Sequence, residues 1–194
     1  RPRGAGAYCD RRPSRADDGG GAEPFLASRH GKRKTGAAGV NVVNRSSLAD
    51  FQACLDAYAG IDKITMQANL AHFLREVVPA AAAAGVYMAI HPDDPPMPLL
   101  GLPRVVCCES DVQHILAAVD SPHNGLTFCV GSYASSSAND VEGMAERHAA
   151  RTHFVHLRNV RRTDGGGSFV ESDHLNGDVD MFRIVRTFAR EAAR

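Results

Sequence analysis

The sequence has 194 residues, of which 22 are basic and 22 acidic, so its formal net charge is zero. This balance gives no sign of a nucleic-acid or anionic membrane partner. No apolar run approaches the ~20 residues that span a bilayer, and no signal-peptide core is visible at the start. The length suffices for one domain with its own core but is short of the ~250 residues of a complete eight-stranded barrel.

The chain divides by composition into two parts. Residues 1–34 are rich in Arg, Gly, Pro, Ala and Asp and show no apolar periodicity. Such a segment cannot bury enough apolar surface to order itself, so we predict low-complexity sequence that is disordered or not native to the domain. Residues 35–194 are predicted to form one α/β domain. Its cysteines are irregularly spaced, which argues against a disulfide framework and favours a cytoplasmic location.

Five helices are indicated by apolar residues at helical spacing. The first pattern is weak and runs through Leu48, Phe51, Leu55 and Tyr58, with Ser46 and Ser47 as caps. The later helices are predicted to begin at the capping residues Asp62, Ser110 with Gln113, Asn139 with Glu142, and Asp178. The last helix is predicted to place Met181, Phe182, Val185 and Phe188 on one face.

Three short apolar runs alternate with these helices and have the length of buried strands: Val86–Ile90, Leu126–Cys129 and His153–His156. Right-handed crossovers make such strands a parallel sheet. A helix after every strand is typical of a partial TIM (β/α)8 barrel, incomplete in this chain, although a doubly wound sheet fits the same pattern. Residues 157–177 are predicted to form a long loop.

Side chains suited to metal binding occur at the ends of all three predicted strands. His91 follows the first strand, and Cys129 and His156 close the other two. The carboxyl ends of parallel strands meet at one edge of a sheet, so we predict a shared metal site there. Imidazole and thiolate suit Fe, Mn, Co or Zn better than Mg or Ca, and three ligands leave a position for substrate. The alternative is that each is an ordinary core residue.

Four further residues are candidates for contact with a substrate. Asp93 follows His91 and is either a site residue or part of a solvated turn. Arg104 and Arg158 are candidates for bidentate contact with an anionic substrate, and Arg158 also for a catalytic role, with surface ion pairing as the alternative. His174 lies in the long loop and is either a general acid or an ordinary loop histidine.

Several motifs together resemble the mannonate dehydratase family: HPDDPP, GLPR, FCVGSY, FVHLRN and DHLNGDVDM, within roughly Leu48 to Arg194. The resemblance implies a TIM barrel of the xylose-isomerase-like kind. It also implies dehydration of D-mannonate to 2-dehydro-3-deoxy-D-gluconate, in glucuronate and hexuronate catabolism, with Fe(II) or Mn(II). His91, Cys129 and His156 then correspond to three metal ligands. The fourth, an Asp, and a catalytic histidine belong to an RPDHGH-type loop that these 194 residues do not contain.

The resemblance implies a small sugar acid as substrate and leaves assembly into a homo-oligomer open. Because the loop with the fourth ligand is missing, we expect this chain alone to be inactive or nearly so. Two alternatives remain at this stage. One is a related barrel that isomerises a sugar, and the other is a truncated, non-catalytic remnant that keeps three ligands.

Overall fold

The structure, a computed structural model, describes residues 47–163, 165 and 167–194. The predicted low-complexity segment 1–34, and residues 35–46 of the predicted domain, lie outside the described residues. Residues 47–59 and 60–194 belong to different compact units. The domain boundary at residue 34 stays a prediction.

Helix α1 (Leu48–Asp56) begins at a capping box, as its sequence predicts. The hydroxyl of Ser47 accepts a hydrogen bond from the backbone N–H of Asp50 at 3.1 Å. The Asp50 carboxylate in turn accepts one from the backbone N–H of Ser47 at 2.8 Å. Two N–H groups that a helix start leaves unpaired are satisfied in this way.

The larger unit contains the following helices and strands in chain order: α2 (Lys63–Ala83), β1 (Met88–Ile90), α3 (Glu109–Ala118), β2 (Asn124–Cys129), α4 (Val130–Ala134), α5 (Val141–His148), β3 (Thr152–His156), β4 (Asn159–Thr163), β5 (Ser168–Ser172) and α6 (Met181–Ala192). Asp62 caps α2 as predicted, and its carboxylate accepts from the backbone N–H of Thr65. No helix in the part of the chain that the structure describes has the length and apolar character needed to cross a membrane.

The first three strands form one parallel sheet in the order β1-β2-β3. Strand β2 is central and every one of its residues is buried, whereas β1 and β3 are only partly covered. The prediction of a parallel α/β fold, incomplete in this chain, is confirmed. In the register, Cys129 pairs with His156, so β2 and β3 end level, whereas Ile90, the last residue of β1, pairs with Leu126 in the middle of β2.

The main core lies where β2 meets α4, α5 and α6, and it excludes water around the residue that ends β2. It contains the buried side chains of Val112, Leu126, Phe128, Val130, Tyr133, Ala134, Val141, Met144, Ala145, Val160, Val179, Met181 and Ile184. A second cluster joins α2 to α3 through Leu74, Val78, Val106 and Ile115. Burial on this scale, at ~25 cal/mol per Å² of apolar surface, is the main force that orders the unit.

The predicted caps of three helices, α3, α5 and α6, are wrong by one or two residues. Helix α3 begins at Glu109 rather than at a capping box on Ser110, because Asp111 instead accepts from the backbone N–H of Cys107 at 3.0 Å. Helix α5 is capped by Asp140, since the side chain of Asn139 is engaged elsewhere. Its Nδ2 donates to the carbonyl oxygens of Cys107 and Tyr133, both at 2.9 Å.

The predicted loop 157–177 contains a two-stranded antiparallel hairpin, β4–β5, which sequence reasoning missed. Residues of β4 such as Arg161 and Arg162 gave no apolar alternation to indicate a strand. The short helix α4 lies between the predicted strand Leu126–Cys129 and the predicted cap Asn139, where no helix was predicted. Both elements are specified by pairing and packing rather than by local propensity.

The last helix, α6, is capped by Asp180 rather than Asp178. Met181 and Ile184 are buried, but Phe182 and Val185 are 70% and 45% exposed, so the predicted apolar face is wrong in part. Residues 181, 184 and 188 lie on one face at helical spacing, and a step of one residue turns a side chain away from it. Among the cysteines that the structure describes, Cys54, Cys107 and Cys129 are free thiols.

Candidate metal centre

Three potential metal ligands converge at the carboxyl edge of the parallel sheet. One ligand atom each from His91, Cys129 and His156 lies within 4.8 Å of the others. His91 follows β1, while Cys129 and His156 end β2 and β3 as register partners. The structure therefore brings together the three residues that the sequence placed at strand ends.

The imidazole of His91 is oriented by its own loop. Its Nδ1 lies 2.7 Å from the carbonyl oxygen of Pro92. A carbonyl oxygen only accepts, so Nδ1 is the donor and Nε2 keeps its lone pair. Proteins commonly fix a metal-binding histidine in this way, with one ring N–H held by a backbone carbonyl.

The thiol of Cys129 is fully buried and has two polar neighbours. Its Sγ lies 3.3 Å from Nδ1 of His156 and accepts a hydrogen bond from Oγ of Ser132 at 3.1 Å. The rings of His91 and His156, by contrast, are exposed, with centroids 6.0 Å apart. The cluster is thus dry at the sulfur and open at the imidazoles.

The donor set fits a first-row divalent metal. Bonds of ~2.0 Å to nitrogen and ~2.3 Å to sulfur place ligand atoms on one ion at most about 4.3 Å apart. The spread of these three atoms, within 4.8 Å, is close to that limit. Two imidazoles and one thiol suit Fe, Mn, Co or Zn better than Mg or Ca and leave room for further ligands.

Asp93 and Arg104 pair with each other and organise the loop after β1. Oδ2 of Asp93 accepts from the backbone N–H groups of Val105 and Val106, both at 2.9 Å. Oδ1 lies 3.4 Å from Nη1 of Arg104. The carboxylate therefore has a clear role in shaping this loop, and substrate contact by either residue stays a prediction.

Arg158 sits between the loop after β1 and the β4–β5 hairpin. Its Nη1 donates to Asp94, and its Nε lies 2.8 Å from Oε1 of Glu171. The aliphatic part of the side chain lies against Gly131, where a Cβ would come within 2.6 Å of its Cγ. Two carboxylates thus pair with the guanidinium of Arg158, and the absence of a side chain at Gly131 leaves space for its aliphatic part.

His174 lies in an exposed turn whose backbone is firmly attached to β4. Nδ2 of the buried Asn159 donates to the carbonyl oxygens of His174 and Val179, at 2.8 and 3.0 Å. Gly177 packs against the same amide, since a Cβ there would come within 2.2 Å of it. The position of the turn is therefore well determined, and an acid role for His174 stays a prediction.

Sequence reasoning missed Ser132 and Asn159, which hold site residues without being obvious ligands. Ser132 lies three residues after Cys129, at the third position of α4. Had the stretch after Cys129 been interpreted as a helix start, this spacing would have suggested a side chain that reaches back to the cap. Asn159 follows a metal ligand by three residues, and nothing local distinguishes it from a surface amide.

A second buried thiol lies close by but is unsuited to chemistry. Burial raises the pKa of Cys107 to about 12, with the nearby carboxylates of Asp93 and Asp111 adding to the effect. The thiolate is the nucleophile and the metal ligand, so Cys107 stays protonated and inert.

The fold and the site together define a class: α/β proteins with a candidate metal centre at the carboxyl ends of parallel strands. Comparisons with known proteins narrow this class. The family model described as D-mannonate dehydratase (UxuA) matches residues 32–194. This chain belongs to that family.

Individual relatives agree with the family match. Mannonate dehydratase of Chromohalobacter salexigens is 53% identical over 148 residues, which cover 76% of this chain and 38% of that protein. Mannonate dehydratase 2 of Agrobacterium fabrum is 50% identical over 153 residues, which cover 79% of this chain and 38% of that protein.

A solved structure agrees as well. The crystal structure of mannonate dehydratase from Streptococcus suis serotype 2 matches with a TM-score of 0.71 and 40% identity, and the match covers 75% of this chain and 42% of that one. The chain thus has part of the fold of this enzyme and spans 38% of the length of the two relatives above.

Proposed function

We propose that this chain supplies three metal ligands of a cytoplasmic mannonate dehydratase that acts on D-mannonate in hexuronate catabolism. The observation that carries the proposal is the convergence of His91, Cys129 and His156 within 4.8 Å in a chain of this family. The proposed metal is Fe(II) or Mn(II), and the proposed product is 2-dehydro-3-deoxy-D-gluconate.

Dehydration of a sugar acid breaks the C2–H and C3–O bonds and releases water. The C2 proton is only weakly acidic, although it is next to the carboxylate, and hydroxide is a poor leaving group. The reaction therefore needs a base for the proton and an acid for the departing hydroxyl. When bound, a divalent metal would supply Lewis-acid stabilisation of the negative charge that develops beside the substrate carboxylate.

The ligand side chains are supported for this task by their own neighbours. The carbonyl of Pro92 sets the tautomer of His91, and the hydroxyl of Ser132 contacts the sulfur of Cys129. The buried side of the cluster excludes water from the thiol, while the exposed rings of His91 and His156 face the side from which a substrate would enter.

We propose that Arg158 binds the substrate carboxylate. This requires the substrate to replace one of its present partners. The side chain of Glu171 is 75% exposed, and an ion pair with such a group is worth little, so it is the partner that would be displaced. Asp94 would keep the guanidinium in place. His174, in the turn held by Asn159, is the proposed proton donor or substrate contact.

The proposal is tested by anaerobic titration of the purified chain with Fe(II) and with Mn(II), using calorimetry, with mannonate turnover followed in parallel. We expect binding that is lost in Cys129→Ser and retained in Cys107→Ser, which alters a buried thiol outside the cluster. Failure of the folded wild-type chain to bind either metal would contradict the proposal and favour a non-catalytic remnant.

Turnover separates the remaining alternatives. We expect metal binding with little or no turnover from these 194 residues, because the resemblance assigns a fourth ligand and a histidine to a loop that they do not contain. Appreciable dehydration of mannonate would overturn that expectation while supporting the activity. Conversion of an aldose, with no dependence on a carboxylate in the substrate, would instead identify a sugar isomerase.

A further inference from the structure

We infer that Ser132 is a positioning residue of the metal centre, whose hydroxyl orients the sulfur of Cys129 and withdraws negative charge from it. This inference rests on the proposed function, because it concerns a ligand of the metal proposed there. It assigns a role to a residue that is neither a ligand nor a substrate contact.

The contact between the two side chains is direct and dry. Oγ of Ser132 donates to Sγ of Cys129 at 3.1 Å, and both residues are 0% exposed. A buried hydroxyl needs a hydrogen-bond partner, and no bulk water competes for this one. The bond is therefore a fixed feature of the buried side of the cluster.

The local fold explains why the hydroxyl faces the sulfur. Cys129 is the N-cap of α4, and Ser132 is the third residue of that helix. A side chain at this position reaches back toward the cap residue, as the glutamate does in a capping box. The neighbouring side chains of Val130, Tyr133 and Ala134 are also fully buried, which leaves the turn little freedom to move.

The chemical consequence follows from the charge on a metal-binding sulfur. Cysteine binds metals as the thiolate, and a hydrogen bond to an ionised acceptor is stronger than one to a neutral acceptor. Donation from Ser132 lowers the energy of the sulfur lone pair and fixes its direction. Partners of this kind tune metal affinity and the electronic properties of the site.

A second serine on the same turn offers a matched control. Ser135 is 1% exposed, and its Oγ donates to the carbonyl oxygen of Gly131 at 2.8 Å rather than to the sulfur. Replacing Ser132 or Ser135 by alanine removes one buried hydroxyl from the same helical turn in each case. Only the first replacement removes the contact with Cys129.

The test uses Co(II) as a spectroscopic probe of the full chain. In Ser132→Ala we expect affinity for Co(II) to fall about 10- to 100-fold, as for loss of other partners of metal ligands. We also expect the sulfur-to-cobalt charge-transfer band to move to lower energy, because an unbonded thiolate gives up an electron more easily. Ser132→Thr keeps a hydroxyl and should restore the band, and Ser135→Ala should leave it unchanged.

The outcomes separate this inference from the proposed function. If the wild-type chain binds no Co(II), the metal centre itself is contradicted. If it binds with a sulfur band that does not move in folded Ser132→Ala, the inference is overturned while the metal centre stands. Should Ser132→Ala fail to fold, Ser132→Cys places a weaker donor at the same position. We then expect a smaller shift in the same direction, and an unshifted band would overturn the inference.

Discussion

Cys129 and His156 are register partners on adjacent parallel strands, and their Sγ and Nδ1 atoms lie 3.3 Å apart. The pairing of β2 with β3 therefore places a thiol and an imidazole next to each other, and no loop is needed to position either side chain. His91, one residue beyond β1, completes the cluster from the other side of β2. Because the pairing of the sheet sets the positions of Cys129 and His156, these two are more rigid than positions on a loop.

The first prediction concerns His156. Its replacement by Ala should weaken binding of Co(II) or Mn(II) by more than the 10- to 100-fold that loss of a supporting partner costs. His153→Ala is the control, because this histidine lies in the same strand and its Nε2 contacts the carbonyl oxygen of Pro122. Calorimetric titration measures the metal affinity of both variants. Equal affinities for the two variants would contradict the assignment of His156 as a ligand.

The second prediction concerns the contact of Gly131 with Arg158. A Cβ at residue 131 would lie 2.6 Å from Cγ and 2.8 Å from Cδ of Arg158. We expect Gly131→Ala to destabilise the protein by about 1–3 kcal/mol through overpacking. Alanine is otherwise favoured over glycine in a helix by about 1 kcal/mol.

A double-mutant cycle tests the origin of this cost. In an Arg158→Ala background most of the clash is absent, so Gly131→Ala should be neutral or stabilising there. Urea unfolding of the four chains gives the free energies of unfolding. The same cost in both backgrounds would show that Arg158 is not what Gly131 accommodates.

The third prediction concerns the buried carboxylate of Asp111. It is 1% exposed and accepts from Nζ of Lys63 at 2.9 Å, from Nε2 of Gln67 at 3.0 Å and from the backbone N–H of Cys107 at 3.0 Å. Asp111→Ala leaves these donors without a partner and should cost roughly 2–4 kcal/mol of stability.

The control for Asp111 is Asp120→Ala. Asp120 also forms an ion pair, with Arg151, but its side chain is 95% exposed. Exposed ion pairs contribute little, so its loss should change the free energy of unfolding by less than about 0.5 kcal/mol. Urea unfolding measures both variants, and similar costs would contradict the structural role assigned to Asp111.

The fourth prediction concerns the pH dependence of stability at the contact between α3 and α5. Arg147 forms two hydrogen bonds to Glu109, and Nε2 of His148 lies 3.2 Å from the same carboxylate. Burial lowers the pKa of His148 from its usual 6.5, although Glu109 opposes the shift. Hydrogen bonds from Arg147 are the main reason why the pKa of Glu109 lies below its usual 4.5.

The signs of these two shifts define two windows of pH. His148 is protonated less readily in the folded chain than in the unfolded one, so stability should begin to fall as the pH drops below 6.5. Glu109 stabilises the fold above its unfolded value of 4.5, and this contribution is lost as the pH falls through its lower folded pKa.

Urea unfolding at pH 7.5 and at pH 5.5 tests the contribution of His148 to the pH dependence of stability. His148→Gln should reduce the difference in stability between these two conditions, while His114→Gln, at an exposed position of α3, should leave it unchanged. A wild-type chain that is equally stable at both pH values, or a difference that His148→Gln does not change, would contradict the role assigned to His148.

Local signals in the sequence predicted some features of this protein and missed others, in each case for a physical reason. The cap at Asp62 and the strand ends at His91, Cys129 and His156 were predicted because capping chemistry and breaks in apolar runs are local properties. The cap at Asn139 was predicted wrongly because a tertiary contact with the carbonyl oxygen of Cys107 engages its side chain. The cap at Ser110 was predicted wrongly because Asp111 accepts from the backbone N–H of Cys107, and the helix begins earlier, at Glu109.

The order of strands and helices, the residue types at the strand ends and the motifs of the family are properties of the sequence itself. Residue type and spacing sufficed to predict a strand-end His–Cys–His site. Only the tertiary structure decided which atoms meet. The register of β2 with β3 sets the distance from Cys129 to His156, and the first turn of α4 brings Ser132 to the sulfur. These contacts depend on the pairing and packing of segments far apart in the chain, which no local pattern encodes.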